Sequence, residues 1–267
     1  LSPMAHIAGV RQRIGNGQDV GRWATVCDWL MFEEMQQPGL FGAGTISDCT
    51  LQYKLAFANR VRGGMLLYHA RDPDGVSLAM AEAGAGGGGA LIQGGYESPE
   101  ARNRYRAFWR DNRDFFEGYE PWSQVGVCYF RDELYWGNLA HLHAIYRLRD
   151  HLARHHVLFD FIVDGDLKPR KLRGYKAVIL PFLPHLNNRE VEALREYVEE
   201  GGVLVAMGDC GTFDELGRRR ARSPFVRWTD SANTEGSSFV RHVKKGAFLS
   251  IDDLDAHVPP SPFNLYD

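Results

Sequence analysis

The chain has 267 residues, 44% hydrophobic and 24% charged, an ordinary balance for a folded protein with room for one large domain or two modest ones. A net charge of −3 gives no general attraction to nucleic acid or anionic lipid, and no apolar run approaches the ~20 residues a membrane helix needs, so neither partner is expected. Cys27, Cys49, Cys128 and Cys210 include no C-x-x-C pair, which excludes a local zinc knuckle or thioredoxin motif and favours a reducing, cytoplasmic setting. LSPMAHIAG at the start has no basic stretch leading into an apolar one, so no signal peptide is expected, and the missing initiator Met points to a piece of something longer.

In chain order, Thr25–Phe32 and Gly64–His69 read as strands running into polar residues. Helices are predicted over Thr50–Arg60 and Val76–Ala83, with a short strand at Ala90–Gln93. Strand alternating with helix suggests parallel α/β structure, and these segments fit the last units of a β/α barrel. A whole barrel takes roughly 250 residues, so its front half would be absent. From Pro99 to Tyr119, Tyr105, Phe108, Trp109, Phe115 and Phe116 recur at helical spacing, predicting a long amphipathic linking helix.

The middle is clearest. Gln124–Phe130, Val157–Val163, Tyr175–Pro181 and Val203–Met207 are continuous apolar runs, the pattern of strands buried on both faces. Leu139–His155 has helical spacing; a second helix opens at Asn187 with Glu190 three residues on, a capping-box pair, and stops at Gly201-Gly202. Together they predict a doubly wound, flavodoxin-like parallel sheet with no complete catalytic apparatus inside it. Phe239–Val243, a Lys244-Lys245-Gly246 turn and Ala247–Ile251 predict a β-hairpin, and Gly217–Arg222 (GRRRAR) a charged loop.

Several motifs bear on chemistry. Glu33 and Glu34 end a predicted strand, where barrel carboxylates point into the active-site mouth. Adjacent strand residues face opposite ways, so only one can point inward and the two cannot form a glycosidase pair by themselves. His69, Arg71 and Asp72 follow the next strand and could bind sugar hydroxyls or a carboxylate, or simply form a capped loop. Gly84–Gly89 spells G-x-G-x-x-G, but between a helix and a strand, the reverse of a dinucleotide site. Cys210, after the fourth central strand, would be a nucleophile only beside a His and an acid, and a structural thiol fits better. His151 and His155 have i, i+4 spacing without an H-E-x-x-H pattern, so no metal or cofactor is expected. The crevice at the strand ends (131–136, 181–185, 208–214) is where such a fold binds ligands, though no phosphate-cradling loop is there.

The phrases VGVCYF, HHVLFDFIVDGDL, YKAVILPFLPHLNN and LREYVEEGGVLVAMGDCGTFDELG resemble the glutamine-amidotransferase-like trimerisation domain of β-galactosidase-type glycoside hydrolases, best described in family 42. Upstream, Asp28–Glu33, YHARDPD and the Glu100–Phe116 linker look like the end of that family's barrel and its exit helix. The resemblance implies an amidotransferase-like domain that has lost its nucleophile, whose position falls near Met207 and not at Cys210. It matches the family's catalytic nucleophile to Glu33 and finds no counterpart of the acid/base Glu, so this chain alone is expected to be inactive.

The regions so implied are a partial β/α-barrel-like part (1–98), a linking helix (99–120), the amidotransferase-like domain (121–236) and a hairpin with tail (237–267). The expected function is the C-terminal part of a glycoside hydrolase acting on a β-linked glycoside by retention. Glu33 would be the nucleophile, Trp29, His69 and Arg71 would shape the sugar pocket, and a homo-oligomer, a trimer by the resemblance, would form. The alternative is a non-catalytic oligomerisation or binding module, with Trp136, Phe182 and Trp228 exposed at an interface.

Overall fold

The computed structural model describes residues 4–7, 19–34, 38–41, 45–70, 72–95, 98–118, 121–225, 228 and 238–252. The chain divides between residues 121 and 122 into two compact units.

In the first unit, strand β1 is Met4–Ile7, helix α1 Val20–Trp23 and strand β2 Trp29–Glu34. The strand expected from Thr25 therefore begins four residues late. The Asp19 carboxylate accepts the Arg22 N–H at 2.9 Å, capping a helical turn that runs out through turns at 24–26. A hairpin that the sequence reading missed, β3 (Gly39–Phe41) and β4 (Thr45–Ser47), comes next. Helix α2 (Thr50–Ala58), strand β5 (Arg62–Ala70), helix α3 (Pro73–Ala85) and strand β6 (Gly89–Gly95) complete the expected units. The sheet order is β1-β2-β5-β6 and every pairing in it is parallel. Helix α3 starts where Asp72 accepts the Gly75 N–H at 2.6 Å and Pro73 supplies a preset φ. Helix α4 (Pro99–Asp111) ends in a 3-10 turn at Arg113–Phe115, short of the predicted Tyr119, which lies outside the described residues.

The second unit is built on strands β7 (Val125–Tyr129), β8 (Phe159–Val163), β9 (Ala177–Pro181), β10 (Val203–Met207), β11 (Phe239–Val243) and β12 (Gly246–Ile251). Between them lie helices α5 (Arg131–Tyr135), α6 (Leu139–Arg154), α7 (Pro169–Leu172) and α8 (Asn188–Glu200). The sheet runs β11-β12-β10-β9-β7-β8. Counting β7, β8, β9, β10 and β12 as one to five gives the flavodoxin order 2-1-3-4-5, all parallel, with β11 added antiparallel at the edge. The tail hairpin is thus the sheet's last strand and its edge, not a separate region. Val203 opposite Ala247 begins that register, which local sequence alone does not specify.

Helix α8 carries the capping box: Glu190 N donates to Asn187 at 2.9 Å and Asn187 N to the Glu190 carboxylate at 2.8 Å. Its buried stripe of Val191, Leu194 and Val198 packs with Val178, Leu204 and Phe248 of the sheet. Trp228, expected on the surface, is 8% exposed, stacks on Phe225 and packs at a tilt against Phe248, because the added strand β12 supplies a hydrophobic wall for it. Among the described residues no helix is long and apolar enough to cross a membrane.

Candidate functional site

In the first unit, alternation along β2 buries Leu30 and Phe32 on one face and places Trp29, Met31 and Glu33 on the other. Glu33, half-buried, stands at the C-terminal end of the strand opposite Leu66 of β5. Trp29 shares its face but lies four residues back, about 13 Å along the strand. Its indole covers Gly64 of β5 so closely that a Cβ there would come within 2.2 Å of the ring. The fold therefore does not bring Trp29 to the strand end that carries Glu33. His69 belongs to the C-terminal part of β5, at the same end as Glu33. The His69 and Glu34 side chains and all of Arg71 lie outside what is described. Asp72 is the α3 cap, which accounts for one member of the HARD phrase by local structure.

The glycine run serves packing. It closes helix α3 and leads into β6, and a Cβ on Gly84 would meet the Trp109 indole at 2.5 Å, one on Gly88 the Gly63 carbonyl at 2.1 Å. Close approach of helix and strand is what the missing side chains permit here.

In the second unit, β7 is flanked by β8 on one side and β9 on the other, so the chain reverses direction across the sheet at this point. The loops after β7 and β9 meet at that switch point, where this fold forms its ligand crevice. Glu133, on the short helix α5 that the sequence reading took for a polar exit, is 1% exposed. It accepts from the His185 backbone N–H at 2.9 Å, from His185 Nδ1 at 3.1 Å and from Asn138 Nδ2 at 2.9 Å. Asn138 also caps α6 and donates to the Phe182 carbonyl at 2.9 Å. The His185 imidazole lies between Trp136 (4.9 Å, interplanar angle 9°) and Phe213 (5.2 Å, 24°). No recognised motif marks Glu133, Asn138 and His185; only the fold's strand order brings them together.

A second histidine, His141, is fully buried. Its Nε2 accepts the Phe130 N–H at 3.1 Å, so its Nδ1 carries the proton and donates to the Pro181 carbonyl at 2.5 Å. Burial pushes it down to about 4, leaving a neutral ring that ties β7 to β9. Asp164 accepts the Arg131 and Asp132 N–H groups at the start of α5, and burial outweighs those bonds to lift it to about 6. Burial likewise lifts Glu190 to about 7, against the opposing Asn187 N–H.

The strand end after β10 has an elbow without a nucleophile. Gly208 directly follows β10 at φ +62°, a left-handed conformation that glycine adopts without strain. A Cβ there would meet the Phe182 ring at 2.3 Å. Phe182, itself at φ +45°, occupies that space and is half-buried, not an exposed interface aromatic. Cys210, two residues on, is buried and its thiol donates to the Leu180 and Met207 carbonyls at 3.3 and 3.5 Å. Burial pushes it up to about 12, the opposite of an activated thiol. His151 on α6 and His155 at its C-cap pair at 4.3 Å between ring centroids, and among the described residues no group of three metal-ligating side chains forms.

Fold and strand ends together define an α/β protein with a mostly parallel six-stranded sheet in its second unit and parallel β-α units in its first. Residues 132–221 match the family model described as the beta-galactosidase trimerisation domain. No curated protein matches the chain. Among solved structures it is similar to the beta-galactosidase of Bacillus circulans sp. alkalophilus (TM-score 0.70, 11% identity, 94% of this chain and 50% of that one). It is also similar to the beta-galactosidase of Halorubrum lacusprofundi (0.66, 13%, 93% and 51%) and the cold-adapted enzyme of Rahnella sp. R3 (0.62, 14%, 94% and 51%). At these identities the likeness is one of fold, and the chain spans about half the length of each. The resemblance read from the central phrases is thus met by the family model, and the mixed α/β fold by the structures.

Proposed function

We propose that this chain is the C-terminal part of a glycoside hydrolase that cleaves a β-linked glycoside with retention, and that its second unit is a non-catalytic assembly domain. The observation that carries the reading is the pairing of a trimerisation-domain match over 132–221 with a half-buried Glu33 at the C-terminal end of a parallel strand, where β/α barrels place their catalytic groups. Retention needs Glu33 as nucleophile and a second carboxyl about 5–5.5 Å away to protonate the leaving oxygen and then activate water. That acid would come from strands preceding this chain. His69 and Arg71, following β5, are assigned to the sugar pocket, whereas Trp29 is assigned to packing under it. The blocked elbow at Gly208 and the buried Cys210 support an accessory role for the second unit. Cysteines that form no disulfide among the described residues fit a reducing, cytoplasmic setting.

Retention proceeds through a covalent glycosyl-enzyme, which gives a direct test on the polypeptide as its gene encodes it. A 2-deoxy-2-fluoro-β-galactoside with a good leaving group is expected to label the tryptic peptide containing Glu33, and Glu33→Gln to abolish labelling. Label on another carboxylate would overturn the assignment. For the assembly role, light scattering is expected to give a mass that is a multiple of the protomer, and a strict monomer would count against it.

A further inference from the structure

The arginine-rich loop 217–222 is absorbed neither by the strand-end site nor by the elbow. With Ser223 and Pro224 it borders an open pocket of about 540 Å³ against the first two turns of α8. Val191 and Pro224 supply apolar lining, and Arg195, Arg220, Arg222 and Glu192 the charge. Three arginines against one glutamate leave a net charge of +2 on a protein whose overall charge is −3. Two of the guanidinium groups are already positioned. Arg220 donates to Asn188 Oδ1 and to the Leu186 carbonyl, both at 2.6 Å, and Arg195 donates to the Pro224 carbonyl at 3.0 Å and to Glu192 at 3.3 Å.

A guanidinium has five N–H groups, so after those two bonds Arg195 and Arg220 each retain hydrogens for a further acceptor. Arg220 Nε lies buried with no acceptor among the described residues, a deficit that negative charge nearby would offset. The pocket also opens at the start of the 13-residue helix α8, whose dipole favours anions there. Fixed planar forks, surplus positive charge and an apolar wall are the components of oxyanion recognition.

We propose that this pocket binds an oxyanion group, a sulfate, phosphate or carboxylate, either free or carried on a sugar. The site belongs to the second unit alone and does not depend on Glu33. Calorimetric titration of the whole chain with sodium sulfate, against sodium chloride at equal ionic strength, tests it. Sulfate is expected to bind and chloride not. Arg195→Gln with Arg222→Gln is expected to weaken sulfate at least about tenfold, as loss of two charge-assisted contacts would. Arg222→Gln alone, at an exposed position, guards against a folding defect, and Glu192→Gln is expected to tighten binding. Arg173→Gln, outside the pocket, should change nothing. Sulfate no better than chloride, or unweakened in the double variant, would overturn the proposal. Galactose 6-sulfate binding more tightly than inorganic sulfate would assign the anion to a sugar, and equal binding to a free ion. Neutral galactose binding as tightly as its sulfate ester would also overturn it.

Discussion

Each unit carries a glutamate near the C-terminal end of a parallel strand, and the two are treated differently. Glu33 is half-buried on the face of β2 that does not carry Leu30 and Phe32. Glu133 is sunk beneath the switch-point crevice, its oxygens committed to His185 and Asn138. A carboxylate whose lone pairs are occupied in a dry site fixes loops, and Glu33 at the end of β2 is the one proposed above to meet a substrate. The same contrast holds for the turns. The left-handed turn at Gly208 after β10 is closed as well, since Phe182 fills the space a side chain there would need.

Glu133→Ala attacks this comparison most directly. It would strand the His185 N–H, its imidazole and the Asn138 amide in a buried site, and is expected to destabilise the protein by about 3 kcal/mol in chemical denaturation. A loss near zero would mean that the network does not hold the loops. Gly208→Ser is expected to cost about 2 kcal/mol through its left-handed backbone and the clash with Phe182. Adding Phe182→Ala should recover part of that loss, and strict additivity would contradict steric blocking.

The raised acids make a pH prediction. Glu190 at about 7 and Asp164 at about 6 lie above their unfolded values, so the folded state binds protons that the unfolded chain has released. The stability they contribute is fully present below about pH 4 and is lost as pH rises through 6 to 7. Glu190→Gln should therefore gain on the wild type by about 1–3 kcal/mol between pH 5 and 8, measured as the difference in unfolding free energy. A constant difference would remove the burial argument. Smallest is Asn187→Ala, which opens the α8 capping box at an expected cost of about 1 kcal/mol in thermal unfolding.

Much of the second unit was legible because its information is local. Val203–Met207 was read with its bounds as observed, since five apolar residues between Gly201-Gly202 and Gly208 admit little else. The capping pair Asn187/Glu190 likewise announces the start of α8. Helix α5 was missed because five residues carry too little periodicity to register. In the first unit Glu33 is legible as a strand-end acid, but the sugar pocket expected around it also included Trp29 as a stacking aromatic. Strand rise separates the two by about 13 Å.

The sequence by itself determined the alternation of strands and helices, the caps and the apolar stripes, because propensity and periodicity act over a few residues. Only the tertiary structure decided the rest. The 2-1-3-4-5 order brings Glu133 and His185, 52 residues apart, into one hydrogen-bonded pair. The parallel register of β10 with β12 turns a tail hairpin into the sheet's last strand and buries Trp228. Phe182 meets Gly208, 26 positions further on, and that contact closes the turn after β10. Such pairings depend on which strands lie side by side, a choice made by burial of the whole sheet and carried by no single segment.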